Sequence, residues 1–103
     1  MPNPTTVETI LAERGKRYGK FTDHAEITQR LKDVMRSTPG NDDRGNLKWD
    51  MLNEDQKEAL EMIAHKIGRI LNGDPNYHDN WAGIAGYATL VADRLVGLPE
   101  RCT

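Results

Sequence analysis

In four separate stretches of this chain apolar residues recur at three- and four-residue spacings, and nowhere do they alternate with polar ones for the length of a strand. That pattern commits the chain to an all-α fold. Each stretch is bracketed by helix start and stop signals. Thr5 followed by Glu8 forms a capping box, and the helix predicted over 5–18 places Val7, Ile10, Leu11 and Tyr18 on one side before ending near Gly19. Asp23 with Glu26 repeats the device for a helix over 24–37, whose stripe is His24, Ile27, Leu31, Val34 and Met35 and which stops before Pro39-Gly40. Asn53 with Gln56 opens a third helix, 53–71, with Leu60, Ile63, Ala64, Ile67, Ile70 and Leu71 on one face. Asn72-Gly73-Asp74-Pro75 ends it, glycine offering a left-handed cap and proline blocking continuation. Asp79 or Asn80 caps a fourth helix, 80–96, with the stripe Trp81, Ile84, Ala85, Ala88, Val91, Ala92 and Leu95.

The expected architecture is a bundle of about four helices: two helical hairpins joined by a polar, turn-rich segment, 38–52, read as a mobile loop. All 103 residues fit one domain. With 37% hydrophobic and 29% charged residues the core must be thin, so a homo-oligomer is the expected way to cover the remaining apolar surface. The short link between helices three and four makes them antiparallel neighbours. Counting outward from Leu71 and Asn80 sets Gly68 level with Gly83 and His65 level with Gly86, which suggests two backbones in close approach. The single cysteine, Cys102, excludes an internal disulfide framework. No apolar run reaches the roughly 18 residues of a membrane span, and Met1–Thr5 does not read as a signal peptide, so the expected location is the cytoplasm.

Charge and spacing narrow the chemistry. A net charge of −2 argues against nucleic acid as a partner, although Arg14 to Phe21 mixes cations with aromatic rings. On the polar side of helix three, Glu58, His65 and Arg69 are expected opposite the core stripe, with Glu61 and Lys66 on its flanks. Glu61 and His65 have the i, i+4 spacing of a metal pair, which His78 and Asp79 would complete, but such a pair on a solvated face is ordinarily only an ion pair. His24, on an apolar side just after a cap, reads as structural. An anion site has more support. The start of helix four offers free N–H groups, Lys66 and Arg69 lie at about that height on the neighbouring helix, Asn80 adds polar contacts, and Tyr87 offers a ring and a hydroxyl. There is no Walker-type phosphate loop, Cys-x-x-Cys motif or nucleophile elbow.

Two blocks carry a family resemblance. One runs from Ile10-Leu11-Ala12-Glu13-Arg14 through Arg17-Tyr18-Gly19 to Phe21 and His24. The other runs from Lys66-Ile67-Gly68-Arg69-Ile70-Leu71 through Asp79-Asn80-Trp81 to Ile84-Ala85-Gly86-Tyr87-Ala88. Together they resemble a family of small phage and prophage proteins of unknown function. More distantly they are similar to the phage nucleotide-modification-associated domain and to the MazG-like all-α nucleoside triphosphate pyrophosphohydrolases. The resemblance implies nucleotide handling in a phage setting, within the host cytoplasm; the candidate contacts are those of the anion site, Lys66, Arg69, Asn80 and Tyr87, with Arg17 and Tyr18 as the alternative place for the ligand. The pyrophosphohydrolases hold magnesium on carboxylates of two helices. Here only Glu58, Glu61 and Asp79 could serve, because Gly83 stands where a second-helix aspartate is expected. Three functions follow as expectations: a nucleotide-binding protein that sequesters a nucleotide or nucleotide-derived signal in counter-defence, a magnesium-dependent pyrophosphohydrolase, or an accessory factor that binds a phage or host protein.

Overall fold

A computed structural model of the chain describes residues 6–41 and 43–101. It is all-α, with four helices in chain order: α1 (Val7–Tyr18), α2 (Phe21–Ser37), α3 (Glu54–Asn72) and α4 (His78–Leu95). A single 3-10 turn, Lys48–Met51, precedes α3. Among the described residues no helix is long and apolar enough to cross a membrane.

The helix boundaries follow local chemistry. Thr5, the expected first cap, lies outside the described residues, and the Thr6 hydroxyl accepts from the Thr9 N–H instead. The Gln56 side chain reaches back to the Asn53 N–H at 2.8 Å, as the third capping signal requires. Two starts differ from expectation. α2 begins at Phe21, not His24, because only Gly19 and Lys20 separate it from α1; Asp23 therefore sits inside the first turn and complements the helix dipole. α4 begins at His78, so Asp79 and Asn80 are first-turn residues and not caps. The segment 38–52 holds more order than an irregular loop. Pro39 and Leu47 form an antiparallel bridge, the Gly40 N–H donates to the Asn46 carbonyl and the Lys48 N–H to the Thr38 carbonyl, both at 2.9 Å. The 3-10 turn that follows packs on α2.

α3 is the hub. It packs against both α2 and α4, which make little or no contact with each other, while α1 crosses its C-terminal end. A helix used on two sides has little room for large side chains, and the buried residues of α3 are Ala59, Ala64 and Gly68. Arg36 on α2 pairs with Glu61, and Arg94 near the end of α4 pairs with Asp55 at the start of α3. These half-exposed pairs contribute little energy, but they fix the register of both neighbours.

The glycine pairing inferred from the sequence is not what the fold uses. A Cβ on Gly68 would stand 2.5 Å from the Thr28 methyl and 3.0 Å from His24 Nδ1, so this glycine admits α2 and not α4. Gly83 faces the Lys66 stem, and a Cβ on Gly86 would meet nothing within 4 Å. The reason is geometric: α3 turns its Gly68 side to α2, so counting heights along the α3–α4 hairpin paired residues on different faces. Alanine at position 68 should gain about 1 kcal/mol of helix propensity and lose about 1–3 kcal/mol to overpacking. Urea titration of Gly68→Ala should therefore show a net loss of stability. Gly83→Ala, which meets only the end of a flexible lysine, should be neutral or stabilising.

Candidate functional site

Three helix ends meet at one place, and the chemistry of the α3–α4 turn makes them meet. The Asn72 amide donates to the Tyr18 carbonyl at 2.8 Å and to the Lys20 carbonyl at 2.9 Å. The Asp74 N–H donates to the Arg17 carbonyl at 2.7 Å. Gly19 takes a φ of 77°, in the left-handed region, and its Cα lies against the Asn72 backbone, so a side chain there fails on both counts. Gly73 is equally close to the Arg17 carbonyl. The end of α1 is thus held on the turn through its backbone carbonyls, independent of its exposed apolar stripe.

The side chains then form a short ladder. The Arg17 guanidinium lies over the Tyr77 ring at 4.9 Å, Tyr77 meets Tyr18 edge to face at 6.2 Å, and Arg69 lies over Tyr18 at 4.1 Å. The Tyr77 hydroxyl donates to the Asp79 carboxylate at 3.0 Å, and this bond raises the Tyr77 pKa. Lys66 lies on α3 beside Gly83. Burial, and then the charge of Arg69, push its ammonium below the ordinary lysine range, while Asp79 pulls it back. Among the described residues no carboxylate stands within 4.0 Å of Lys66 or Arg69, and Arg17 has only Glu13 at 3.9 Å. Asn80 is fully buried, and neither its amide nitrogen nor its oxygen has a hydrogen-bond partner.

Arg17, Tyr18, Lys66, Arg69 and Asn80 are therefore brought to one end of the molecule. Tyr87 is not. It lies more than two turns along α4, lining a cavity of about 250 Å³ with Asp55, Glu58, Leu90 and Arg94. The carboxylates Glu58, Glu61 and Asp79 do not converge either. Because α3 and α4 run antiparallel, the start of α3, with Glu58, lies against the end of α4, whereas Asp79 lies at the start of α4. Glu61 turns to Arg36 on α2. Among the described residues no group of three or more His, Cys, Asp or Glu is placed to hold a metal ion, so Glu61, His65, His78 and Asp79 make no such site. Tyr77 is a member of the ladder that the sequence reading missed. Its signal is the turn itself, since a tyrosine just before a helix start must lie beside whatever the turn docks.

His65 also differs from expectation. It is half-buried, because the side of α3 expected to face water is covered by α2. Its Nδ1 lies 3.2 Å from His24 Nε2, with the rings perpendicular and their centroids 4.6 Å apart. Burial is the main reason both histidines titrate below the ordinary value. For His65 the charges of Arg69, His24, Lys66 and Lys32 add to it, and its pKa falls to about 4. For His24 the nearby Gly68 backbone opposes the burial, while Arg69 and Lys32 reinforce it. At neutral pH one uncharged ring donates to the other.

The chain belongs to the family described as a domain of unknown function (DUF6378), which matches residues 4–95. Comparison with curated proteins and with solved structures gives no match.

A histidine whose folded pKa is depressed binds its proton more readily in the unfolded chain. The contribution of His65 is therefore complete above its ordinary value of 6.5 and is lost as the pH falls towards about 4. Denaturation midpoints measured at pH 7.5, 6 and 4.5 should fall along the series. In His65→Gln the fall should be clearly smaller; an unchanged slope would show that the pair does not carry it.

Proposed function

We propose that this protein binds a phosphate-bearing small molecule, of nucleotide class, at the junction of α1, α3 and α4. The observation that carries this reading is the pair of half-buried cations on α3. Arg69 has its guanidinium over Tyr18 and no hydrogen bond or ion pair among the described residues, and Lys66 is desolvated next to it with no carboxylate in contact. Holding two like charges together at a partly dry position costs energy, and an anion placed between them relieves it. Arg17 adds a third cation from another helix, Tyr18 and Tyr77 supply aromatic edges for a base, and the first turn of α4 adds its partial positive charge. Asn80, in the first turn of α4, is fully buried with its amide unpaired, a group that gains when a polar atom reaches it.

Binding is favoured over turnover. Magnesium-dependent phosphoryl chemistry in the MazG-like manner needs carboxylates from two helices around one ion, and Glu58, Glu61 and Asp79 stand apart. The resemblance to phage and prophage proteins supports a setting in which such a protein sequesters a nucleotide or nucleotide-derived signal inside the host cell.

Calorimetric titration with pyrophosphate and with ATP, each with and without magnesium, tests the proposal. Lys66→Ala and Arg69→Ala should each weaken binding by about 1.5–3 kcal/mol, the range for hydrogen bonds to charged groups. Arg69→Lys should not restore it, since an ammonium cannot reproduce the planar fork. Glu61→Gln should leave affinity unchanged, because Glu61 faces α2. Full affinity in both alanine variants would place the ligand elsewhere.

A further inference from the structure

Among the described residues the outward side of α4 has no counterpart. From Asn80 to Ala92 the helix carries no charged residue, and its apolar character continues all the way round. Such a helix is ordinarily covered on all sides. Here Ile84 and Val91 turn inward and are half-buried, but Trp81, Ala85, Ala88, Ala92 and Leu95 lie on the exposed side, with Trp81 55% and Leu95 61% accessible. Their spacing of four, three, four and three is the seam of a helix pair. The exposed stripe of α1 is poorer, since Glu8, Glu13, Arg14 and Lys16 crowd its twelve residues.

The exposed surface is large for a chain of this mass. The chain has a mass of 11.6 kDa and exposes 7776 Å², whereas a compact chain of that mass exposes about 5,800 Å². The excess is more than about 1,000 Å², which is what one copy hides in an obligate dimer. Its radius of gyration is 17.0 Å, against about 13 Å for a compact domain of this length. Among the described residues the buried hydrophobic side chains are only Ala59 and Ala64. A chain with so small an apolar interior needs more burial to be stable.

We propose that the outward side of α4 docks on the same side of a second copy, the two helices running antiparallel about a two-fold axis near Ala88. The stripe is self-complementary in that arrangement: Ala88 meets its own copy, Ala85 faces Ala92 of the other chain, and Trp81 packs on the other chain's Leu95. Three alanines in the middle let the backbones approach closely, while the large side chains close the two ends. The Trp81 indole N–H is already committed to the Pro75 carbonyl at 2.8 Å, which leaves the apolar face of the ring for the partner. This inference stands independently of the anion site.

Sedimentation equilibrium on the full chain tests it. Wild type should be a dimer at about 50 µM, well inside the range where even a micromolar pair is formed. Ala88→Glu places two carboxylates at the axis and should raise the dissociation constant by at least about a hundredfold. A loss of fold in that variant would mimic this result, so a second one is needed. Ala88→Cys in a Cys102→Ser background should oxidise to a covalent dimer, whereas Glu26→Cys on exposed α2 in the same background should not. A monomeric wild type overturns the proposal. So does a dimer that Ala88→Glu leaves intact and that the Ala88→Cys variant fails to cross-link.

Discussion

Two side-chain amide hydrogens and one backbone N–H hold the end of α1 onto the turn between α3 and α4. The Asn72 amide spans the Tyr18 and Lys20 carbonyls, and the Asp74 N–H takes the Arg17 carbonyl. The last carbonyls of a helix otherwise have no partner, so this turn caps α1 from outside with groups that α3 no longer needs. The positions of Arg17 and Tyr18, the immediate start of α2 at Phe21, and the meeting of three helix ends all depend on it. Gly19 and Gly73 are glycines because the two backbones are nearly in contact there. The electrostatic character of the candidate site is a consequence: cations at the ends of α1 and α3 are favourable for each helix dipole separately, and the turn brings them together.

The second constraint is the double use of α3. A helix that packs on two neighbours spends its small residues on close approach, and the energy comes from half-buried aliphatic groups on both sides with no deep core. Polar contacts then set the register: Arg36 with Glu61 on one side, Arg94 with Asp55 on the other, and the His24–His65 pair where Gly68 lets α2 in. It also explains why so much of α4 is left uncovered, since α2 and α4 cannot close on each other across α3.

What the sequence made legible was periodic or local. Four helices, their caps within a few residues, the antiparallel α3–α4 hairpin, and the placing of Lys66 and Arg69 near Asn80 follow from spacing and breakers; that Arg17 and Tyr18 dock beside them does not. What it hid was non-local. His65 looked solvated because α2, which covers it, is 41 residues away at His24. The Gly68–Gly83 match failed because one hairpin's register says nothing about a third helix. In α4 the stripe reading merged two faces: a helix apolar all round has no preferred side, so Trp81, Ala85, Ala88, Ala92 and Leu95 were counted with the inward Ile84 and Val91. Tyr87 was assigned to the phosphate site by residue type, and its position along α4 removes it.

The proposed phosphate-bearing ligand, seated at the α1–α3–α4 junction, would touch all three helix ends. The most direct measurement is a titration followed by amide and side-chain nitrogen–proton NMR, adding ATP to the uniformly labelled chain. A site at the junction should give shifts concentrated at Arg17 to Lys20, Lys66 to Gly73 and Tyr77 to Trp81, with the side-chain amide of Asn80 among the largest and the Tyr87 region nearly still. Shifts centred instead on the cavity beside Tyr87 and Glu58, or an unperturbed spectrum at millimolar ATP (roughly the weakest binding that would count as recognition), would contradict it.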